Sequence, residues 1–347
     1  MTDYLIIIPT CIFVKGYFRT AIYDTLRGNI DFAPNDLYDF CTKHNKQRIA
    51  EIISSYSTED SEIVEEYIDF LVKNEYAIKG SLNDALCIQD ISLKWNYFGV
   101  ITNFICEYSS LVYKQRKKIC HIVENDLKSQ AFQLISFQQQ VPVANLEKIL
   151  SCFIECINIH HVELILPFSE EYIASKIELL LVRYPFINRM IIHSSPDNQL
   201  IEDDNNTILS YVQQSIDKTS SCGFVGKAYF ALNFSHITES LKYNNCLNRK
   251  VFVDGRGDVK NCPFTKEKYG NIFEDEILNI VEKNNFKRLW KINKDRIHVC
   301  KDCEFRYICS DCRVFVKNSA DIYSQPAKCN YNPYIAKWLG EEGYISV

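Results

Sequence analysis

Four thiols stand within thirteen residues at Cys300-Lys-Asp-Cys303-Glu-Phe-Arg-Tyr-Ile-Cys309-Ser-Asp-Cys312, as two C-x-x-C pairs with five residues between them. A C-x-x-C turn lets both sulfurs face one metal, and two such pairs have no packing rationale as inert buried thiols. Upstream stands Cys246, then ten residues and Gly257, then four residues and Cys262; downstream, Cys329 follows a sixteen-residue gap. Thiolates bind iron-sulfur clusters or zinc, and sulfur-only ligation leaves both open. These seven thiols are one short of two four-thiolate sites, and Cys222 is the nearest remaining thiol on the amino-terminal side. The candidate ligands are therefore Cys222, Cys246, Cys262, Cys300, Cys303, Cys309, Cys312 and Cys329. Cys11, Cys41, Cys87, Cys106, Cys120, Cys152 and Cys156 lie scattered in apolar contexts and read as core residues. Cys152 and Cys156 are one helical turn apart but lack a third ligand nearby in sequence, and His160 and His161 read as structural.

The elements that must position these groups fall into three regions. Residues 1–85 open with an apolar strand at Leu5 to Ile8, then a hairpin-like stretch from Tyr17 to Phe32 turning at Arg27-Gly28-Asn29. Helices are expected over Lys46 to Tyr56 and Ser57 to Asn74, the second opened by hydroxyls and acids suited to a helix start. A strand at Tyr76 to Ile78 completes a winged-helix-like pattern. Residues 95–205 alternate strands at Val100–Cys106, Phe132–Phe137, Val162–Leu166 and Arg189–His193 with helices at Leu146–Ile157 and Glu170–Val182. This alternation predicts an α/β region with a parallel sheet, and about four units do not complete an eight-unit barrel. Pro196-Asp197-Asn198 and Asp203-Asp204-Asn205-Asn206 mark a polar linker. The cysteine region occupies residues 220–347, where Asp254-Gly255-Arg256-Gly257-Asp258 reads as a hairpin turn delivering Cys262.

Composition limits the partners. The chain has 347 residues, 47% of them apolar and 13% aromatic, which describes a folded protein of two or three domains. Net charge is -5, and residues 1–80 carry 8 Lys and Arg against 13 Asp and Glu, so neither nucleic acid nor an anionic membrane is the expected partner. No apolar run is long enough to span a bilayer, and the opening apolar stretch lacks a basic leader and a cleavage site. A cytoplasmic location is expected, where fifteen cysteines suggest metal ligands more than disulfides.

The seven-cysteine order resembles the SPASM domain, the auxiliary iron-sulfur domain of many radical-SAM peptide-modifying enzymes. That resemblance implies interleaved ligation. Cys246, Cys262 and Cys312, with Cys222 as fourth ligand, would hold one [4Fe-4S] cluster; Cys300, Cys303, Cys309 and Cys329 would hold the second. The family spacing ends C-x5-C-x3-C, whereas two residues separate Cys309 from Cys312 here. Two structural zinc sites are the alternative. Glu304, Arg306 and Asp311, set between ligands, could tune a cluster through hydrogen bonds or simply be solvated.

A radical-SAM enzyme also needs a C-x3-C-x2-C loop after its first barrel strand. At that place thirteen residues separate Cys106 from Cys120 with no third thiol, and Cys152-Phe-Ile-Glu-Cys156 is followed by Ile159 where a third cysteine would stand. The chain has no Gly-Gly pair either. The middle region thus resembles a degenerate radical-SAM sheet without its reactive cluster, and S-adenosylmethionine is not an expected cofactor. The amino-terminal region resembles the precursor-recognition element of ribosomal-peptide pathways, which takes a leader peptide as an added strand. Together these features resemble the SPASM-domain peptide maturase of grasp-with-spasm systems. The implied role is to bind a precursor peptide and present it to an ATP-grasp ligase, with no catalytic residue of its own assigned. A redox or radical enzyme using auxiliary clusters and a zinc-bound regulatory scaffold are the competing readings.

Overall fold

A computed structural model describes residues 3–202, 208–217 and 221–347. The linker tetrad Asp203-Asp204-Asn205-Asn206 lies outside the described residues. The fold is mixed α/β with one large sheet, and the chain divides into two compact units. One comprises Met1–Trp95, Gly223–Asn245 and Ile292–Val347; the other comprises Asn96–Cys222 and Cys246–Lys291.

In the first unit, β1 (Tyr4–Ile7) lies between two antiparallel partners, β5 (Gln47–Arg48) and β6 (Ala77–Gly80). A second antiparallel sheet joins β2 (Cys11–Lys15), β3 (Thr20–Asp24) and β4 (Asn29–Ala33) in that order, so β4 is an edge strand. The expected hairpin is present, with Thr25 to Gly28 as its connection and Gly28 at φ 75. Helix α1 (Asn35–His44) buries Leu37, Phe40, Cys41 and His44, one face at helical spacing. Helix α2 is shorter than the expected Lys46–Tyr56 segment, covering Ile49–Ser54, because Gln47 and Arg48 pair with β1. Helix α3 (Thr58–Lys73) starts where the sequence indicates. Ser57 caps it, its hydroxyl accepting the Asp60 amide at 3.2 Å. Val64, Ile68 and Leu71 face a core shared with Leu5, Ile22, Leu37 and Phe40.

A further core in the same unit joins the two ends of the chain. Val14, Ala21 and Tyr23 of the β2–β4 sheet pack with Ile237, Phe305, Ile308 and Tyr331. The residues between the cysteines are therefore covered by the amino-terminal sheet.

The second unit is built on nine described strands. β7 (Asn103–Glu107), β8 (Ala131–Ile135), β9 (His161–Pro167) and β10 (Ile187–His193) pair in parallel and in sequence order. β11 (Gln199–Glu202) and β12 (Ile208–Val212) extend one side, and β13 (Lys250–Val253), β14 (Asp258–Lys260) and β15 (Gly270–Asn271) extend the other. Alternation sorts the side chains. Phe104, Phe132, Leu134, Val162 and Leu164 are fully buried, whereas their neighbours Ile105, Gln133, Glu163 and Ile165 are half-buried on the opposite face. The predicted strands are all present within a few residues. The predicted helix Leu146–Ile157 instead runs from Val143 to Leu150 and tightens into a 3₁₀ turn at Ser151–Phe153.

Candidate metal centre

Cys300, Cys303, Cys309 and Cys329 all line one cavity in the first unit, of about 20 Å³ and partly open to solvent. Val225, Phe230, Phe305, Tyr331 and Trp338 form much of its apolar wall. Local backbone geometry delivers the first pair. Val299 has φ 67 and ψ -46, a conformation rare for a β-branched residue, and the Cys300 amide donates to the His298 carbonyl at 2.8 Å. A 3₁₀ turn over Cys300–Asp302 follows, with the Cys303 amide donating to the Cys300 carbonyl at 3.0 Å. This tight turn brings both thiols to the same wall. The Phe305 amide donates to Cys303 Sγ at 3.4 Å, an arrangement that suits a thiolate.

The environment of the sulfurs contains one buried cation that motif spacing does not reveal. Lys294 is 4% exposed, lines the cavity and donates from Nζ to Cys309 Sγ at 2.9 Å. Burial opposes its charge, but the facing Cys309 and Cys300 sulfurs and the Asp311 carboxylate outweigh that cost and hold its pKa above the usual lysine value. For the thiols, burial pushes Cys300 up to about 12 against the pull of Lys294, and pushes Cys303 and Cys309 upward as well. Metal loading here must therefore displace protons. Four sulfurs, a buried ammonium and an apolar wall are a donor set that fits an anionic thiolate-held group. Among the described residues, no three His, Cys, Asp or Glu side chains converge on a point suited to one metal ion.

The residues between the cysteines act as braces. Glu304 is fully buried and its Oε1 takes the Arg19 Nε at 2.8 Å and the Tyr331 hydroxyl. Its carbonyl accepts the Tyr23 hydroxyl. Arg306 pairs with Asp295 at 3.0 Å and donates to the Lys15 carbonyl at 2.8 Å. Asp311 is buried in an ion pair with Arg313 at 2.6 Å and accepts the Asn244 amide at 2.8 Å. Asn245 clamps the adjacent backbone, donating to the Cys309 carbonyl and accepting the Asp311 amide, both at 3.0 Å.

The other expected ligand set is distributed differently. Cys312 belongs to the first unit, where Gly223 lies against it: a Cβ on Gly223 would stand 3.3 Å from its sulfur. Cys222, Cys246 and Cys262 belong to the second unit. Cys262 follows the β13–β14 hairpin, whose turn is held by Asp254 Oδ1 accepting the Arg256 and Asp258 amides at 3.0 and 3.1 Å. Gly257 has φ +92 there, and a Cβ would strike Phe273 at 2.5 Å. Next to Cys262, the buried Asn261 amide has no hydrogen-bond partner among the described residues. Cys106 is fully buried in β7. Cys120, which sequence spacing leaves isolated, sits 3.5 Å from Cys156, sulfur to sulfur, and donates to the Cys152 carbonyl at 2.8 Å.

Among the described residues no helix is long and apolar enough to cross a membrane. No curated protein matches the chain. Solved structures that match include SuiB of Streptococcus suis bound to its precursor peptide SuiA, at 10% identity and a TM-score of 0.31, over 89% of this chain and 96% of that one. SuiB bound to S-adenosylmethionine matches at the same identity and TM-score, over 93% of this chain and 99% of that one. The family match is local: residues 245–304, which hold Cys246, Cys262, Cys300 and Cys303, match SPASM, an iron-sulfur cluster-binding domain.

Proposed function

We propose that the protein serves in the maturation of a ribosomally synthesised peptide, binding the precursor's leader and presenting it to an ATP-grasp ligase in the cytoplasm. In this reading residues 1–85 are a winged-helix-like recognition element, 95–205 a degenerate radical-SAM-like region and 220–347 the SPASM region. Two [4Fe-4S] clusters stabilise it, one on Cys300, Cys303, Cys309 and Cys329, the other on Cys222, Cys246, Cys262 and Cys312. Clusters of this kind supply structural cross-linking and can exchange single electrons.

One observation carries the reading. The sheet whose edge strand among the described residues is β4 shares a core with the residues between the cysteines, through Tyr23, Phe305 and Tyr331. An unpaired edge can accept an extended peptide through main-chain hydrogen bonds. Tethering peptide and ligase to one scaffold strengthens a weak encounter by roughly a hundredfold or more without new chemistry. Hydrogen exchange on the cluster-loaded protein, with and without a synthetic leader peptide, tests this. Slowed exchange over Asn29–Ala33 is the expected result. Saturating peptide that binds without protecting β4, or does not bind, overturns the assignment.

A further inference from the structure

We propose that Lys294 is the fixed counter-cation of the group held by Cys300, Cys303, Cys309 and Cys329, and that it raises the reduction potential of that site. The inference rests on the reading that the four thiolates hold an iron-sulfur cluster. It adds a role for a residue that lies outside the cysteine motif. An ammonium removed from water is strongly disfavoured unless an anion faces it. Lys294 Nζ has Cys309 Sγ, at 2.9 Å, as its hydrogen-bond acceptor. The Asp311 carboxylate also favours the ammonium, but it is itself paired with Arg313 at 2.6 Å and with Asn244 at 2.8 Å. Glu304 and Asp295 are likewise committed, to Arg19 and Arg306. The Cys309 sulfur is thus the group that Lys294 hydrogen-bonds directly.

The position is held by the fold. Lys294 opens a 3₁₀ turn whose preceding residue, Asn293, donates to the Leu241 carbonyl at 2.8 Å and to Asp295 at 2.9 Å. The Cys309 backbone is fixed on its other side by Asn245 at 3.0 Å. Both partners of the Lys294–Cys309 contact are therefore anchored. Reduction adds one electron, and one negative charge, to a thiolate-held cluster. A cation fixed against a ligating sulfur favours that more negative state, so its removal makes reduction harder.

An anaerobic redox titration with dithionite, followed by electron paramagnetic resonance, tests the proposal on wild type, Lys294→Met and Lys294→Arg, with iron and sulfide counted in each. In K294M one potential should fall so that the reduced-to-oxidised ratio drops at least tenfold at fixed potential, which is 59 mV for one electron. K294R should stay near wild type. Loss of one cluster in K294M with retention in K294R equally supports a required cation. An unmoved potential in K294M, or equal changes or equal cluster loss in both variants, overturns the proposal while leaving the cluster reading intact. Wild type without iron overturns both.

Discussion

Replacing Arg19 with methionine would leave the buried Glu304 carboxylate with the Tyr331 hydroxyl alone on Oε1, since Oε2 has no partner among the described residues. Breaking a buried ion pair costs about 3–5 kcal/mol. Arg19 is 26% exposed while Glu304 is 0% exposed, and partial screening at the guanidinium lowers the expected cost to about 2–3 kcal/mol. At about 1.4 kcal/mol per factor of ten, amides of Thr20–Asp24 should exchange roughly 30- to 140-fold faster. Hydrogen exchange with mass spectrometry on the intact, metal-loaded chain reads this directly. The double variant R19M/E304M should recover much of the loss, because an apolar pair can replace a buried ion pair at little cost. Unchanged exchange in R19M, or a double variant worse than the single, would refute the view that this pair ties the amino-terminal sheet to the cysteine loop.

Other perturbations have defined outcomes. Ser57→Ala should lower the stability of the first unit by about 1 kcal/mol through loss of the α3 cap, read by urea titration. Gly257→Ala should destabilise the β13–β14 hairpin by more than about 1 kcal/mol and reduce bound iron, because φ is +92 and the new Cβ meets Phe273. Burial raises the Glu163 pKa, only partly offset by Arg189 and Gln133. A carboxyl raised on folding favours the native state below its unfolded pKa and loses that contribution as pH rises through the folded value. Glu163→Gln should therefore gain in melting temperature relative to wild type between about pH 4 and 7; a relative loss over that range would reverse the assigned sign. Cys329→Ala should remove about half of the bound iron, while Cys41→Ala, in the apolar core, should leave iron content unchanged.

Local signals in the sequence were the most readable. Ser57 and the acids after it announce α3, and apolar runs locate the four central strands, because each depends on neighbours a few residues away. Helix α1 carries its own signal at Leu37, Phe40, Cys41 and His44, obscured by Asn, Asp and Thr, which are weak helix formers. Cys300, Cys303, Cys309 and Cys329, the set that the SPASM resemblance implies, line one cavity in the structure. Nothing in the motif singles out Lys294, since a buried lysine shows itself only through what surrounds it. The Arg19–Glu304 pair spans 285 residues of chain. Cys120 meets Cys156 across 36 residues, a helix against a loop, which no spacing rule anticipates.

The most direct test of the account is the metal content and visible spectrum of protein purified without oxygen. The account predicts about eight irons and eight sulfides per chain, with a visible absorbance that dithionite bleaches. About two zinc ions per chain, with no iron and no visible band, would contradict it.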